Sequence, residues 1–215
     1  MNYASIRTCD IANGEGVRVT LFVSGCTHRC KGCFNPDQWD FAYGEPFTRE
    51  VEDRILKDLE PSFIAGLSIL GGEPMEPENQ RALVPFLKRI ESFRDKLESG
   101  SGAGLESGSG VRLASGSGAG LESGSGAGLE SGGDVNPTLN VPKKTLWVYT
   151  GCLFEELKNP SSRWHTEVTD EFLRMIDVLV DGPFVEDLKD ISLQFRGSSN
   201  QRILRLRGGQ LQTEN

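Results

Sequence analysis

The sequence of 215 residues contains no long apolar run. No stretch approaches the roughly 18 apolar residues that span a membrane, and residues 1–10 do not form the apolar segment of an export signal. Basic residues are fewer than acidic ones: the chain has 23 Lys and Arg and 31 Asp and Glu, which gives a net charge of −8. A surface that binds nucleic acid or anionic lipid needs a basic face. We therefore expect a cytoplasmic protein with no nucleic acid and no membrane among its partners.

Cysteine is scarce and unevenly placed, with five residues in the whole chain. An odd number of cysteines, with no export signal expected, does not suit a framework of disulfides. Cys26, Cys30 and Cys33 fall within eight residues of one another, which favours metal ligation. Cys9 and Cys152 are isolated, and we interpret them as small apolar residues.

A repeat of eight residues interrupts the chain. The unit LESGSGAG begins at Leu97 and recurs with small changes up to Leu129. One apolar residue in eight fits neither a helical stripe nor a strand alternation, and such a glycine-rich tract buries too little surface to offset chain entropy. We therefore expect a disordered Gly/Ser-rich insertion at 97–132 within one domain, whose N-terminal part is 1–96 and whose C-terminal part is 133–215.

Strand-like and helix-like segments alternate outside this tract. The predicted strands are 17–24, 66–70, 145–150 and 178–180, and the predicted helices are 48–60, 77–93 and 168–176. This alternation predicts an α/β fold with a parallel sheet, either open or closed into a partial barrel. Active sites of such folds gather at the C-terminal ends of the strands. The three cysteines, the Gly71–Pro74 turn and Thr150–Gly151 each follow a predicted strand, so we expect them at one edge of the sheet.

The three clustered cysteines are separated by three and then by two residues. Three thiolates on one short loop can bind three irons of a cubane cluster and leave the fourth iron without a protein ligand. Zinc is the alternative, and a structural zinc site takes four ligands. His28 or His165 would then supply the fourth ligand, although His28 lies inside the loop. The spacing favours the cluster and leaves zinc open.

The segment Gly71-Gly72-Glu73-Pro74 gives a second signal. Two glycines at a strand end let the backbone approach a ligand closely, with carbonyl groups that accept hydrogen bonds from an ammonium. An ordinary tight turn is the other interpretation. The position one βα unit after the cysteines favours the functional interpretation.

The Cys-X3-Cys-X2-Cys loop followed by Gly-Gly-Glu-Pro resembles the radical S-adenosylmethionine (SAM) superfamily. Further segments resemble one family within it, the glycyl-radical-enzyme activases that act on anaerobic ribonucleoside-triphosphate reductases. These segments are NGEGVR at 13–18, LFVSGC at 21–26, CKGCFN at 30–35, VDGPF at 180–184 and RGSSNQR at 196–202. The resemblance covers nearly the whole chain except the repeat tract. Cys152 departs from the pattern, because an aromatic residue is expected after Thr-Gly.

The resemblance implies a partial (βα) barrel of the radical SAM type with one [4Fe-4S] cluster on Cys26, Cys30 and Cys33. SAM would bind the open iron and be cleaved reductively, and the product would be a glycyl radical on the large subunit of the reductase. The residues that the resemblance places against SAM are Gly32, Cys33, Phe34, Gly71, Gly72 and Glu73. It also implies an electron donor such as reduced flavodoxin.

Two rival functions stay open at the level of sequence. The first is an activase of a different glycyl radical enzyme, which would share every cluster residue and differ only in its partner. The second is a zinc-binding interaction module without catalysis, which would contain zinc in place of iron and sulfide. The role of the Arg196–Arg202 segment also stays open between contact with SAM or a partner and a satisfied polar turn.

Overall fold

The structure is a computed structural model that describes residues 1–99 and 143–212. The predicted disordered insertion at 97–132 lies outside the described residues except at its start. There the second helix, predicted to end at 93, continues through Pro85 to Glu98. The first residues of the repeat tract therefore belong to a helix, and the proposed boundary at 97 falls within it.

Eight strands and four α-helices are present in the described part of the chain. The strands are β1 (Asn2–Asp10), β2 (Val17–Val23), β3 (Glu45–Pro46), β4 (Ile64–Gly71), β5 (Thr145–Tyr149), β6 (Val178–Asp181), β7 (Arg202–Arg207) and β8 (Gln210–Leu211). The helices are α1 (Arg49–Asp58), α2 (Pro77–Glu98), α3 (Phe154–Lys158) and α4 (Thr169–Met175). Every predicted strand and helix is present, with its bounds shifted by a few residues.

The strands form one mixed sheet in the order β3-β1-β2-β4-β5-β6-β7-β8. The four predicted strands β2, β4, β5 and β6 are parallel to one another, which confirms the parallel core. β1 and β7 flank this core and pair antiparallel to it. The sequence did not predict either strand, because β1 exposes much of its length and gives a weak apolar alternation. The partial barrel stays a prediction.

The two faces of the parallel core carry different side chains, since successive residues of a strand point to opposite faces. Val19, Leu21 and Val23 of β2 pack in the main apolar core with residues of α1, α2 and α4. Arg18 and Thr20 lie on the opposite face and are also fully buried. That second face contains Trp147 and surrounds a cavity. No helix in the described ranges is long and apolar enough to cross a membrane.

Candidate functional site

A cavity of about 350 Å³ opens at the C-terminal ends of the parallel strands. Its volume lies within the range of small-molecule and cofactor sites. The predicted site residues that line it are Cys26, Cys30, Cys33, Phe34, Gly71, Gly72 and Glu73, joined by Thr150 and Gly151. Gly32 is the one predicted site residue that does not line the cavity. The structure therefore brings the cysteine loop and the Gly-Gly-Glu-Pro turn together, as expected from parallel strands.

The cysteine loop, residues 26–33, is held by few backbone hydrogen bonds of its own. At its start, the Cys26 amide donates to the carbonyl of Trp39 at 3.1 Å. Within the loop, the Cys33 amide donates to the Cys30 carbonyl at 3.2 Å, and Gly32 adopts a φ of 70° that favours glycine. The Asn35 amide points at the Cys33 sulfur from 3.4 Å. The loop thus directs its sulfur atoms into one cavity and places an amide donor against one of them.

Burial affects the protonation of the Cys26 and Cys30 thiols. Burial, reinforced by the negative charge of Glu73, raises the pKa of the Cys26 thiol to about 11. Burial also raises the pKa of Cys30. Thiols of this kind ionise when a cation binds them, and binding then releases protons. A set of three free thiols in one cavity fits an iron–sulfur cluster with one iron left open to a further ligand.

Among the described residues, His28 is grouped with Glu73 and Cys152, whose possible ligand atoms all lie within 4.8 Å of one another, rather than with the three clustered cysteines. The His28 Nε2 atom lies 3.0 Å from a carboxylate oxygen of Glu73, and the His165 Nδ1 atom lies 2.7 Å from the Leu157 carbonyl. Cys9 is exposed on β1, and Cys152 is buried with its sulfur 3.6 Å from His28 Nε2. Burial and the Glu73 carboxylate raise the pKa of Cys152, which keeps it a neutral thiol. The described residues therefore suit the cluster better than structural zinc.

The two glycines of the turn allow it to approach the cysteine loop. The Gly72 amide donates to the Val23 carbonyl, and the Glu73 amide donates to the Gly25 carbonyl, both at 2.8 Å. A Cβ atom on Gly72 would lie 2.6 Å from the Gly25 carbonyl oxygen, and Gly71 has a φ of 111°. Glycine is thus required here for contact between two loops, in addition to any approach to a ligand.

The Glu73 side chain is 1% exposed and fully engaged by protein groups. One carboxylate oxygen accepts a hydrogen bond from the Met75 amide at 2.8 Å. The other accepts from the Gly151 amide at 2.7 Å and faces His28. The structure therefore shows Glu73 joining the ends of β4 and β5 to the cysteine loop, and its predicted contact with SAM stays a prediction.

Comparison with known proteins gives the family. A family model described as a 4Fe-4S single cluster domain matches residues 12–101 and 137–204. The anaerobic ribonucleoside-triphosphate reductase-activating protein of Pasteurella multocida (strain Pm70) is 36% identical over 207 residues, covering 95% of this chain and 98% of the relative. The protein of the same name from Escherichia coli (strain K12) is 35% identical over 209 residues, covering 96% and 100%. The one from Enterobacteria phage T4 is 28% identical over 203 residues, covering 94% and 93%.

The chain belongs to the anaerobic ribonucleoside-triphosphate reductase-activating protein family. Part of its RGSSNQR segment lines the cavity and part forms an internally bonded turn, and contact with SAM or a partner stays a prediction. Arg196 and Gly197 line the cavity of this family member. The Gln201 side chain accepts from the Gly197 amide at 2.8 Å, so the turn is also internally bonded. Arg202 donates to the buried Asp181 carboxylate at 2.8 Å and fixes the segment to the end of β6.

The rim of the cavity in this activating-protein family member is aromatic. Phe34 is 60% exposed, and its ring centroid lies 5.0 Å from that of Phe184. The Lys189 ammonium lies 5.0 Å from the Phe34 ring. Sequence reasoning selected Phe34 but missed Phe184, which was visible only as part of a family segment. The remaining lining residues that were missed include Ala12, Asn13, Tyr149 and Phe195.

Proposed function

We propose that the protein is a radical SAM activase that generates a glycyl radical on the large subunit of anaerobic ribonucleoside-triphosphate reductase. The observation that carries this proposal is the meeting of three free thiols with the Gly-Gly-Glu-Pro turn in one cavity. Three thiol ligands leave one cluster iron for SAM. The names of the relatives, which are reductase-activating proteins, support the choice of target.

A [4Fe-4S] cluster bound here would supply the one-electron reduction needed for cleavage of SAM, and the chemistry of that cleavage would belong to the cofactors. Cys26, Cys30 and Cys33 would hold three of its irons. Gly71, Gly72 and Glu73 form the wall of the cavity beside the cysteine loop.

The remaining predicted site residues would bind SAM and shield it from solvent. Cys33 and Phe34 line the cavity directly, and the exposed ring of Phe34 is available to pack on the adenine of SAM. Gly32 adjoins both and contributes through its backbone conformation. We also propose that the four parallel strands and their helices form the partial barrel of the radical SAM type, and that a flavodoxin-like donor delivers the electron.

The test of this function is reductive cleavage of SAM. The protein is purified without oxygen, reconstituted with iron and sulfide and reduced with dithionite, and 5′-deoxyadenosine is quantified. We expect product that depends on the reductant. Cys30→Ala should lose the four-iron cluster and the activity, whereas Cys9→Ala, at an exposed position on β1, should keep both. A wild-type protein that binds zinc and no iron would refute the proposal.

The identity of the partner needs a separate measurement. The reduced protein and SAM are mixed with the anaerobic reductase or with an unrelated glycyl radical enzyme, and the glycyl radical is recorded by electron paramagnetic resonance. We expect the radical with the reductase. A signal with only the other enzyme would assign the protein to a different activase.

A further inference from the structure

Thr27 and His28, which lie between the first two cysteines, attach the cysteine loop to other parts of the molecule. The Thr27 amide and hydroxyl donate to the same carboxylate oxygen of Glu76, at 2.7 and 2.6 Å. Glu76 is 4% exposed and stands at the start of α2. A buried carboxylate with two donors fixes both the backbone and the side chain of Thr27.

A second element reaches the loop from the segment between α3 and α4. The Arg163 guanidinium donates to the Thr27 hydroxyl at 2.7 Å, so this oxygen accepts one bond and donates another. The Arg163 guanidinium also lies 3.9 Å from the centroid of the Trp164 ring. The His28 ring stacks on Trp164 with centroids 4.5 Å apart and planes inclined by 20°. Thr27 and His28 are therefore held by adjacent residues of one segment.

The segment that contains Arg163 and Trp164 is held in turn by Gln80 of α2. The Gln80 side-chain amide of α2 donates to the Trp164 carbonyl at 2.8 Å and to the Met75 carbonyl at 2.7 Å. Gln80 is fully buried, and Trp164 is 6% exposed. The start of α2 therefore contacts the cysteine loop through Glu76 and contacts the Arg163–Trp164 segment through Gln80.

We propose that Thr27, His28, Glu73, Glu76, Arg163 and Trp164 form a clamp that positions the cysteine loop and sets both the lifetime and the reduction potential of the bound cluster. None of the family segments includes Glu76, Arg163 or Trp164. The clamp rests on the proposed function, since it acts on the cluster that the cysteines hold. Outer residues that orient metal ligands commonly change metal affinity or activity by about 10–100-fold when they are removed.

Two variants of Glu76 distinguish the effect of the clamp on cluster lifetime from its effect on the reduction potential. In Glu76→Ala the Thr27 amide and hydroxyl lose their acceptor, and we expect the cluster to be lost to an iron chelator about tenfold faster. In Glu76→Gln the amide oxygen still accepts these bonds, so the rate of cluster loss should stay near that of the wild type. Both variants remove a negative charge beside the loop, so the midpoint potential should rise in both. Glu78→Ala, an exposed charge change on the same helix, is the matched control and should change neither quantity.

Cluster loss followed by absorbance, and the potential from a redox titration, are measured without SAM. Equal cluster lifetimes in Glu76→Ala and Glu78→Ala would overturn the clamp, and so would an unchanged potential in Glu76→Gln. If Glu76→Ala does not fold, Arg163→Ala carries the test, because that side chain is exposed. It should shorten the cluster lifetime several-fold, and a wild-type lifetime would again overturn the clamp. Wild-type protein without iron would overturn both this inference and the proposed function, whereas normal SAM cleavage with no effect in these variants would overturn the clamp alone.

Discussion

The buried Arg18 of β2 offers a direct test of how the face around the cavity is held together. Its guanidinium has no exposed surface and donates five hydrogen bonds. The acceptors are Ser68 Oγ at 2.7 Å, the Glu15 carbonyl at 3.1 Å, Thr145 Oγ1 at 3.0 Å, the Leu67 carbonyl at 2.8 Å and the Thr145 carbonyl at 2.7 Å. Arg18 thus links β2 to β4 and β5 from within one side chain.

The expected effect of Arg18→Met follows from these contacts. At about 1 kcal/mol net for each hydrogen bond, removing the guanidinium would lower the free energy of unfolding by about 5 kcal/mol. The charge is itself unfavourable to bury, since burial lowers the pKa of Arg18 to about 10. Methionine fills part of the volume and removes that penalty, so we expect a net loss of about 3 kcal/mol.

The assay is urea denaturation of the apoprotein, read as the midpoint concentration at an unchanged slope. Arg81→Met is the matched control, because Arg81 bonds Glu167 at 2.7 Å on the surface, where such pairs contribute up to about 1 kcal/mol. Arg18→Lys keeps the charge but lacks the planar fork, so its loss should be intermediate. The reasoning is refuted if Arg18→Met is no more destabilising than Arg81→Met.

Three further outcomes are expected. Arg202→Ala leaves the fully buried Asp181 carboxylate without its ion pair, and urea denaturation should show a loss of about 3 kcal/mol; a loss below about 1 kcal/mol would mean that water replaces the guanidinium. Gly72→Ala forces a Cβ atom against the Gly25 carbonyl at 2.6 Å, so the iron content after reconstitution should fall, and wild-type iron content would contradict the close approach. Deletion of residues 99–132 should leave iron content unchanged, because β5 starts at the N-terminal ends of the parallel strands, and the cysteines lie at their C-terminal ends. Loss of folding would show that the tract is structural.

Local patterns in the sequence predicted strands and helices correctly where a single element produces the pattern. The apolar stretches of β2 and β4 could be predicted because each forms a short, mostly buried strand. The helix predicted from residue 48 begins at Arg49, with Thr48 as its N-cap residue. The C-terminal end of α2 was predicted too early. The composition of the repeat tract does not indicate that its first residues, Leu97 and Glu98, continue the preceding helix. β1 was missed because much of it is exposed, and strand prediction depends on apolar alternation.

The sequence by itself indicated an iron–sulfur site, in agreement with the matching 4Fe-4S domain model, because the cysteine spacing and the Gly-Gly-Glu-Pro turn each lie within a few consecutive residues. Tertiary structure alone decided what surrounds them. The Glu73 carboxylate accepts a hydrogen bond from the Gly151 amide, 78 residues away, and no local pattern predicts that contact. Arg163 reaches Thr27 across 136 residues. Such contacts depend on which strand ends and connecting segments become neighbours, and that is set by packing of the whole sheet and its helices rather than by any local pattern.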